Sequence, residues 1–251
     1  MTIIQAMILG LVQGLTEFLP VSSSGHLVIF QTLLGFETPP ILFDVLVHLA
    51  TLTAVIIYFW KRLIKLSQIE IKLMIVGTIP AVIAGFVLEP FLEEIFSSLY
   101  IVSAGLMITA TMLWVSHRCT KGTVVLGKIS INKALLIGLF QAMAIIPGVS
   151  RSGSTVSAGL SSDLKKEDAF FFSFLLAIPA ILGAGVLQLK DIQSFSQVVS
   201  VQNLVGFLVA AVSGVLALKL LNIVISKAKL HYFAIYCLLL SIGIIIYQLI
   251  Q

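Results

Sequence analysis

Glu17, Asp44 and Arg151 are ionic side chains lying inside long apolar stretches, and His26 and His48 join them there. An Asp or Arg at the centre of a membrane-crossing helix costs roughly 2.5–3.5 kcal/mol on insertion scales, so such residues are candidates for function by default. Gln13 and Glu17 stand four apart, which puts both on one face of a helix. Pro20 then stops that helix, because its ring removes a donor and clashes with the preceding turn. Ser22, Ser23 and Ser24 follow as cap-type residues opening a second helix, whose free N–H groups and positive dipole end favour an anion. His26 lies in the first turn beyond. Downstream, Pro147-Gly148 and then Ser150-Arg151-Ser152-Gly153-Ser154-Thr155 repeat the design with Arg151 in place of Ser23. A guanidinium forks onto phosphate oxygens through two parallel hydrogen bonds, which a lysine cannot reproduce. Two helix N-termini, a cluster of hydroxyls and a buried guanidinium make a cradle for a doubly charged group. Phosphate or diphosphate fits it best.

Each of these residues also has a plainer reading. Ser/Gly clusters permit close helix packing in membranes. Glu17 can be only a buried partner for Arg151, and His26 an interior histidine satisfied by its neighbours. Asp44 and His48, four apart on one span, read as supports behind the site or as a structural pair.

The elements that must position these side chains are membrane helices. The 251 residues are 59% hydrophobic and 10% charged, with mean hydropathy +1.13, whereas a soluble domain carries about 25% charged residues. Stretches at about 41–60, 71–88, 99–115, 168–189, 203–226 and 232–250 approach the roughly 20 apolar residues that cross a hydrocarbon core. Regions of about 3–34 and 131–162 are also long enough, but Pro20–His26 and Pro147–Gly153 interrupt them. Irregular polar backbone is tolerated at membrane depth only inside protein or beside a wet cavity. Each region is therefore expected to form a re-entrant pair of half-helices meeting at a polar tip.

The basic residues support that arrangement. With re-entrant pairs, the connectors near 61–72, 116–133, 163–168 and 226–231 share one side. Together with Lys219 they hold every one of the 15 Lys and Arg residues except Arg151 and Lys190. The opposite face holds Glu37, Glu89, Glu93, Glu94 and Asp191. Lys and Arg mark the cytoplasmic side, so both termini, and the opening of the site, are expected on the extracytoplasmic side. The net charge of +4 therefore reports topology and gives no reason to expect nucleic acid. No cleaved signal peptide is read at the N-terminus. Cys119 and Cys237 show no spacing for a disulfide framework or a zinc site.

One offset carries Gly10, Gln13, Val21, Ser22, Ser24 and Gly25 onto Gly138, Gln141, Val149, Ser150, Ser152 and Gly153. The expected organisation is a first repeat over 1–117 and a second over 129–251, each a re-entrant pair plus three spans, within a single membrane domain. An odd number of crossings inverts the second copy. The fold class is all-α integral membrane: six transmembrane helices plus two re-entrant half-helix pairs in an inverted-topology repeat. Such repeats with broken helices are also typical of transporters, so a carrier or flippase for a phosphorylated lipid or other anion is the competing class. Glu17 and His26 beside Arg151 favour an enzyme, because an anion carrier needs the arginine but not an acid and a histidine.

The segments Gln13–His26 and Pro147–Thr155 resemble the two signature motifs of the undecaprenyl-diphosphate phosphatase family, also called the bacitracin-resistance family. Phe43-Asp44-Val45 and Trp60-Lys61-Arg62 extend the resemblance, and the length and span pattern suit the whole chain. The resemblance implies hydrolysis of a polyprenyl diphosphate to the monophosphate and inorganic phosphate in the bacterial cytoplasmic membrane. That reaction recycles the lipid carrier of cell-wall synthesis and gives bacitracin resistance. It implies that Glu17, Ser23, His26 and Arg151 matter for hydrolysis and that a divalent cation, magnesium or calcium, is required. Glu17 is expected on the metal, with Gln13 beside it where relatives can carry Glu. Arg151, Ser22, Ser24, Ser150 and Ser152 are expected to hold the diphosphate, with Gln13, Gly25, Gly148 and Thr155 completing the binding set. Ser23 and His26 compete for the role of nucleophile or activating base. The expected partners are the polyprenyl diphosphate lipid and the bilayer, with no nucleic acid, and a homodimer is compatible with this reading. The membrane acid-phosphatase-like lipid phosphatases are excluded, because Ser157 stands where their nucleophilic His would fall after Arg151.

Overall fold

A computed structural model describes residues 1–36, 40–117, 122–188, 199–227 and 229–250. Apart from an isolated Val124–Leu164 bridge, the regular elements among the described residues are helical. In chain order they are α1 (Ile3–Phe18), α2 (Ser23–Leu33), α3 (Ile41–Leu63), α4 (Gln68–Leu88), the short α5 (Leu92–Ser97), α6 (Leu99–Ser116), α7 (Ile131–Met143), α8 (Arg151–Ser161), α9 (Lys166–Gln188), α10 (Val201–Ser226) and α11 (His231–Ile250). Among the described residues, 6 helices are long and apolar enough to cross a membrane: α3, α4, α6, α9, α10 and α11. The chain is thus an all-α, multi-pass membrane protein, and its spans coincide with the expected stretches to within a few residues. The short α5 is an addition that hydropathy did not reveal. Ile57, Val87, Leu239 and Ile250 stand exposed on the outside of the bundle, where a bilayer receives apolar side chains without penalty.

Hydroxyl residues set most helix starts. Thr2 and Ser67 form capping boxes with Gln5 and Glu70, and Ser98, Ser130 and Ser200 each accept a backbone N–H from the first turn. These bonds satisfy donors that have no partner within the helix. Proline alone does not explain the two interruptions, since Pro80 and Pro179 sit inside α4 and α9. What separates α1 from α2, and α7 from α8, is a proline followed by a serine cap that restarts the helix.

Each interrupted region folds as a hairpin whose ends adjoin. Gln5 at the start of α1 donates to the carbonyl of Leu34 just past α2 at 3.3 Å. Lys133 at the start of α7 donates to the carbonyl of Ser162 just past α8 at 2.8 Å. The four basic connectors gather at one end of the bundle. Arg62 pairs with Asp168, whose other oxygen accepts from the backbone of Leu126. Thr123 binds Asp163, and the rings of His117 and His231 lie 4.5 Å apart.

Packing also recurs between the two halves. α1 packs on α10 and α7 packs on α4. Gly10 meets the backbone of Gly206 in the first contact, and Gly138 meets the backbone of Gly77 in the second. Gly10 and Gly138 are partners in the offset noted above, and in both places a Cβ would collide with a facing carbonyl. The main core contains an aromatic cluster in which Phe18, Phe59, Phe170, Phe171 and Phe174 pack ring against ring.

Candidate active site

The breaks after α1 and α7 are built against each other. Ser22 caps α2 by accepting from the backbone of Gly25, and Ser150 caps α8 by accepting from that of Gly153. Both hydroxyls also reach the serine two residues on, Ser24 at 3.3 Å and Ser152 at 3.2 Å. Across the junction, the Gly148 N–H donates to Ser22 Oγ at 3.1 Å and Ser152 Oγ donates to the Leu19 carbonyl at 3.2 Å. A Cβ on Gly25 would crowd Gly148, and one on Gly153 would crowd Pro20. Gly148 has φ +90°, which glycine adopts freely. Ser22 has φ 69°, a conformation that costs an L residue of order 1–3 kcal/mol.

Glu17 sits at this junction, 8% exposed at the end of α1. Its Oε2 accepts from Ser23 Oγ at 2.6 Å and from Gln13 Nε2 at 3.0 Å. Its Oε1 accepts from Arg151 Nη2 at 2.6 Å. Arg151 Nη1 donates to the Ser173 carbonyl at 3.3 Å, and the guanidinium lies 5.6 Å from the centroid of the Phe174 ring. His48 Nε2 stands 3.8 Å from Glu17 Oε2, while its Nδ1 donates to the Asp44 carbonyl at 2.7 Å. The two breaks therefore bring together an acid, a hydroxyl and a guanidinium from α1, α2 and α8. A hydroxyl bonded to a carboxylate can be deprotonated in place. Of the five N–H donors of arginine, two are engaged here, which leaves others for an anion.

A profile of bacitracin resistance protein BacA matches residues 6–243. The chain belongs to the BacA family. Among its relatives, a protein of Methanosphaera stadtmanae named undecaprenyl-diphosphatase is 40% identical over 99% of both chains. Proteins of the same name from Methanobrevibacter smithii and Halothermothrix orenii are each 42% identical, the first over 99% of this chain and 98% of its own, the second over 98% of both.

The remaining residues expected from the BacA resemblance lie apart from the Glu17 centre or behind it. His26 is buried, with Nδ1 2.7 Å from the Ser22 carbonyl and Nε2 2.7 Å from the hydroxyl of Tyr236 on α11. The hydroxyls of Ser22 and Ser152 are buried and fasten one break to the other, the buried Ser150 hydroxyl bonds within its own break, and Ser23 and Ser24 are only partly buried. Thr155 bonds to Ser173 Oγ at 2.6 Å and to the Arg151 carbonyl at 2.8 Å, so it braces α8 against α9 beneath the arginine. Asp44 and His48 are joined through the Asp44 carbonyl, which accepts from His48 Nδ1. The Asp44 carboxylate takes the amide of Gln31, and His48 stands behind Glu17. Sequence reasoning missed Ser173, Tyr236 and Thr109, whose hydroxyl donates to the Gly148 carbonyl and accepts from the Ser150 N–H, both at 2.8 Å. No spacing signal marks these three, because their partners come from distant spans.

The donor set can be tested against a divalent cation. Gln13 Oε1 is buried beside Glu17 with no hydrogen-bond partner. An amide oxygen and a carboxylate suit a hard cation, and magnesium usually takes one or two carboxylates plus substrate phosphates and waters. Among the described residues no cluster of three or more His, Cys, Asp or Glu could form an all-protein cage. The residues present thus fit a cation shared between Glu17, Gln13 and a phosphate-bearing substrate.

Proposed function

We infer that this BacA-family protein is an undecaprenyl-diphosphatase, which hydrolyses undecaprenyl diphosphate to undecaprenyl phosphate and inorganic phosphate and thereby confers bacitracin resistance. The observation that carries this reading is the Ser23–Glu17–Arg151 contact where two helix N-termini meet, in a chain alike over nearly its whole length to proteins named for that activity.

In the mechanism we favour, the diphosphate enters between the starts of α2 and α8, with its tail among the apolar spans. Arg151, Ser24 and the N–H groups of the two first turns hold the phosphate oxygens. Ser22 and Ser152 shape the cradle by joining the breaks, and Ser150 by capping α8. Arg151 turns from Glu17 to the substrate, which frees Glu17 to take the proton of Ser23. Ser23 Oγ then bonds to the terminal phosphorus as the bridging oxygen leaves with the lipid monophosphate. Glu17 hands that proton to the departing lipid monophosphate, then takes one from the water that attacks the phosphorylated Ser23 and returns it to Ser23 Oγ as phosphate leaves. Glu17 and Gln13 would hold a divalent cation, magnesium or calcium, which supplies charge neutralisation on the transferring group. Positioning and electrostatics of this kind account for most catalysis of phosphoryl transfer.

The test is phosphate release from undecaprenyl diphosphate by purified protein, with and without a divalent cation, combined with rapid quench of labelled substrate. We expect cation-dependent turnover and label on the protein that Ser23→Ala removes. Substantial turnover by Ser23→Ala without phospho-enzyme would transfer the attack to water.

The same reading makes the two hairpins re-entrant and the halves, 1–117 and 129–251, an inverted repeat with both termini extracytoplasmic. Supporting it are the adjoining hairpin ends, the recurring glycine contacts and the gathering of the basic connectors at one end. With Cys119 and Cys237 replaced, a cysteine at Glu93 should react with an impermeant thiol reagent in intact cells and one at Lys165 should not. The reverse pattern overturns the orientation.

A further inference from the structure

Both ring nitrogens of His26 are engaged, one of them by a residue on another span. A carbonyl oxygen only accepts, so the ring nitrogen 2.7 Å from the Ser22 carbonyl, Nδ1, must carry the hydrogen. In the neutral imidazole Nε2 is then an acceptor, and the Tyr236 hydroxyl 2.7 Å away is its donor. The two rings lie nearly parallel, 12° apart, with centroids separated by 5.8 Å. Both nitrogens are thus engaged, and neither partner belongs to the Glu17 centre. Ser23 bonds to Glu17, not to the imidazole.

The grip falls on a strained residue. Ser22 holds φ 69° and ψ 96° immediately before Ser23. Its carbonyl is held both by His26 Nδ1 and, at 3.2 Å, by the His26 backbone N–H. Its side chain is pinned by the Gly148 N–H. The ring's bond is thus one of the holds that keep Ser22 in this conformation, immediately before the Ser23 that bonds to Glu17. α11 touches the same break at the next residue too, where Cys237 Sγ approaches the Pro20 carbonyl at 3.6 Å.

We propose that Tyr236 is a positioning residue for the Ser23 hydroxyl, acting through His26 and the Ser22 carbonyl. The proposal rests on Ser23 being the reacting hydroxyl, so Ser23→Ala is measured first. If that variant turns over well, the nucleophile assignment fails, whatever Tyr236 does.

With Ser23→Ala inactive, kcat and KM for undecaprenyl diphosphate are compared for Tyr236→Phe, His26→Asn, His26→Gln and the Tyr236→Phe/His26→Asn double variant. Tyr236→Phe keeps the ring and removes the donor. It should lower kcat about 5–30-fold, the range expected for one hydrogen bond, with KM within about twofold. Asparagine places its amide N–H near the Nδ1 position, so His26→Asn keeps the hold on Ser22 and should retain activity close to that of Tyr236→Phe. Glutamine reaches instead towards Nε2, and His26→Gln should be several-fold slower than His26→Asn. The double variant should be no slower than His26→Asn alone, because both changes sever one chain. A Tyr236→Phe enzyme with unchanged kcat overturns the proposal. So does a His26→Asn enzyme as inactive as Ser23→Ala, which would make the imidazole itself reactive. If the His26 variants fail to fold, Tyr236→Phe decides alone, since it disturbs no packing.

Discussion

The break after α1 and the break after α7 share a scaffold and differ in chemistry. Both restart a helix on a serine that caps the third backbone N–H and reaches the serine two residues on. The first adds Glu17, Ser23 and His26, and the second adds only Arg151. In the offset that relates them, Glu17 falls on Ile145, Ser23 on Arg151 and His26 on Ser154. The difference teaches that a paired cradle suits a ligand with two like groups such as a diphosphate, while the proposed reaction would draw its acid and its hydroxyl from one end alone. The glutamines record the same divergence. Gln13 lends its N–H to Glu17, whereas neither amide atom of the buried Gln141 has a protein partner.

The hardest way to break this asymmetry is Glu17→Gln. That change removes the acceptor charge for Ser23 and strands Arg151. Turnover should fall at least about a thousandfold, about 4 kcal/mol. Leaving the buried guanidinium unpaired should also destabilise the fold by about 3–5 kcal/mol. Phosphate release and thermal unfolding in the same detergent measure the two losses. Retained turnover would reduce Glu17 to a structural partner of Arg151.

Arg151→Lys tests the other break. The charge is kept but the fork is lost, and we expect activity to drop about tenfold to a thousandfold, about 1.4–4 kcal/mol. Near-normal turnover of the folded variant would mean that Arg151 only balances Glu17.

The spans and both breaks were legible in the sequence because they depend on local signals: apolar run length, a proline, and hydroxyls at cap spacing. Glu17 and Arg151 were legible as ionic residues in apolar stretches, and Ser23 stood out only through the family resemblance. The bonds made by Tyr236, Thr109 and Ser173 were not legible. Tyr236 reaches His26 across most of the chain, and no local pattern encodes which face of one span meets which face of another. The cap serines show the same limit from the other side. Their type and position were readable, but Ser22 and Ser152 have turned their hydroxyls to the junction, a choice that depends on how the two hairpins dock.

The glutamine pair gives a smaller contrast. Gln13→Ala removes a hydrogen bond to a charged group, a loss of about 1.5–3 kcal/mol, so turnover should fall about ten- to a hundredfold. Gln141→Ala touches no reacting group and should leave turnover within about twofold. Equal losses in phosphate release from the two variants would show that the second half carries chemistry of its own.

The smallest expected difference lies in how the breaks are clasped. The offset that pairs Pro20 with Gly148 also pairs Cys237 with Thr109, and each of these side chains reaches the carbonyl of its break. α6 of the first half therefore holds the second break, and α11 of the second half holds the first. Thr109 does so with two bonds of 2.8 Å, Cys237 with a single contact of 3.6 Å. Thr109→Val keeps the shape but leaves the buried Ser150 N–H without an acceptor, at about 1–3 kcal/mol. Cys237→Ala loses a weak S–H contact and the volume of one sulfur, about 1 kcal/mol or less. Thermal unfolding of the two variants should rank Thr109→Val as the more damaging. The stronger clasp then belongs to the break that carries only Arg151, which needs to stay fixed while the first break's Ser23 exchanges partners. If Cys237→Ala destabilises as much as Thr109→Val, the two clasps are equivalent and the division into a fixed break and a working break fails.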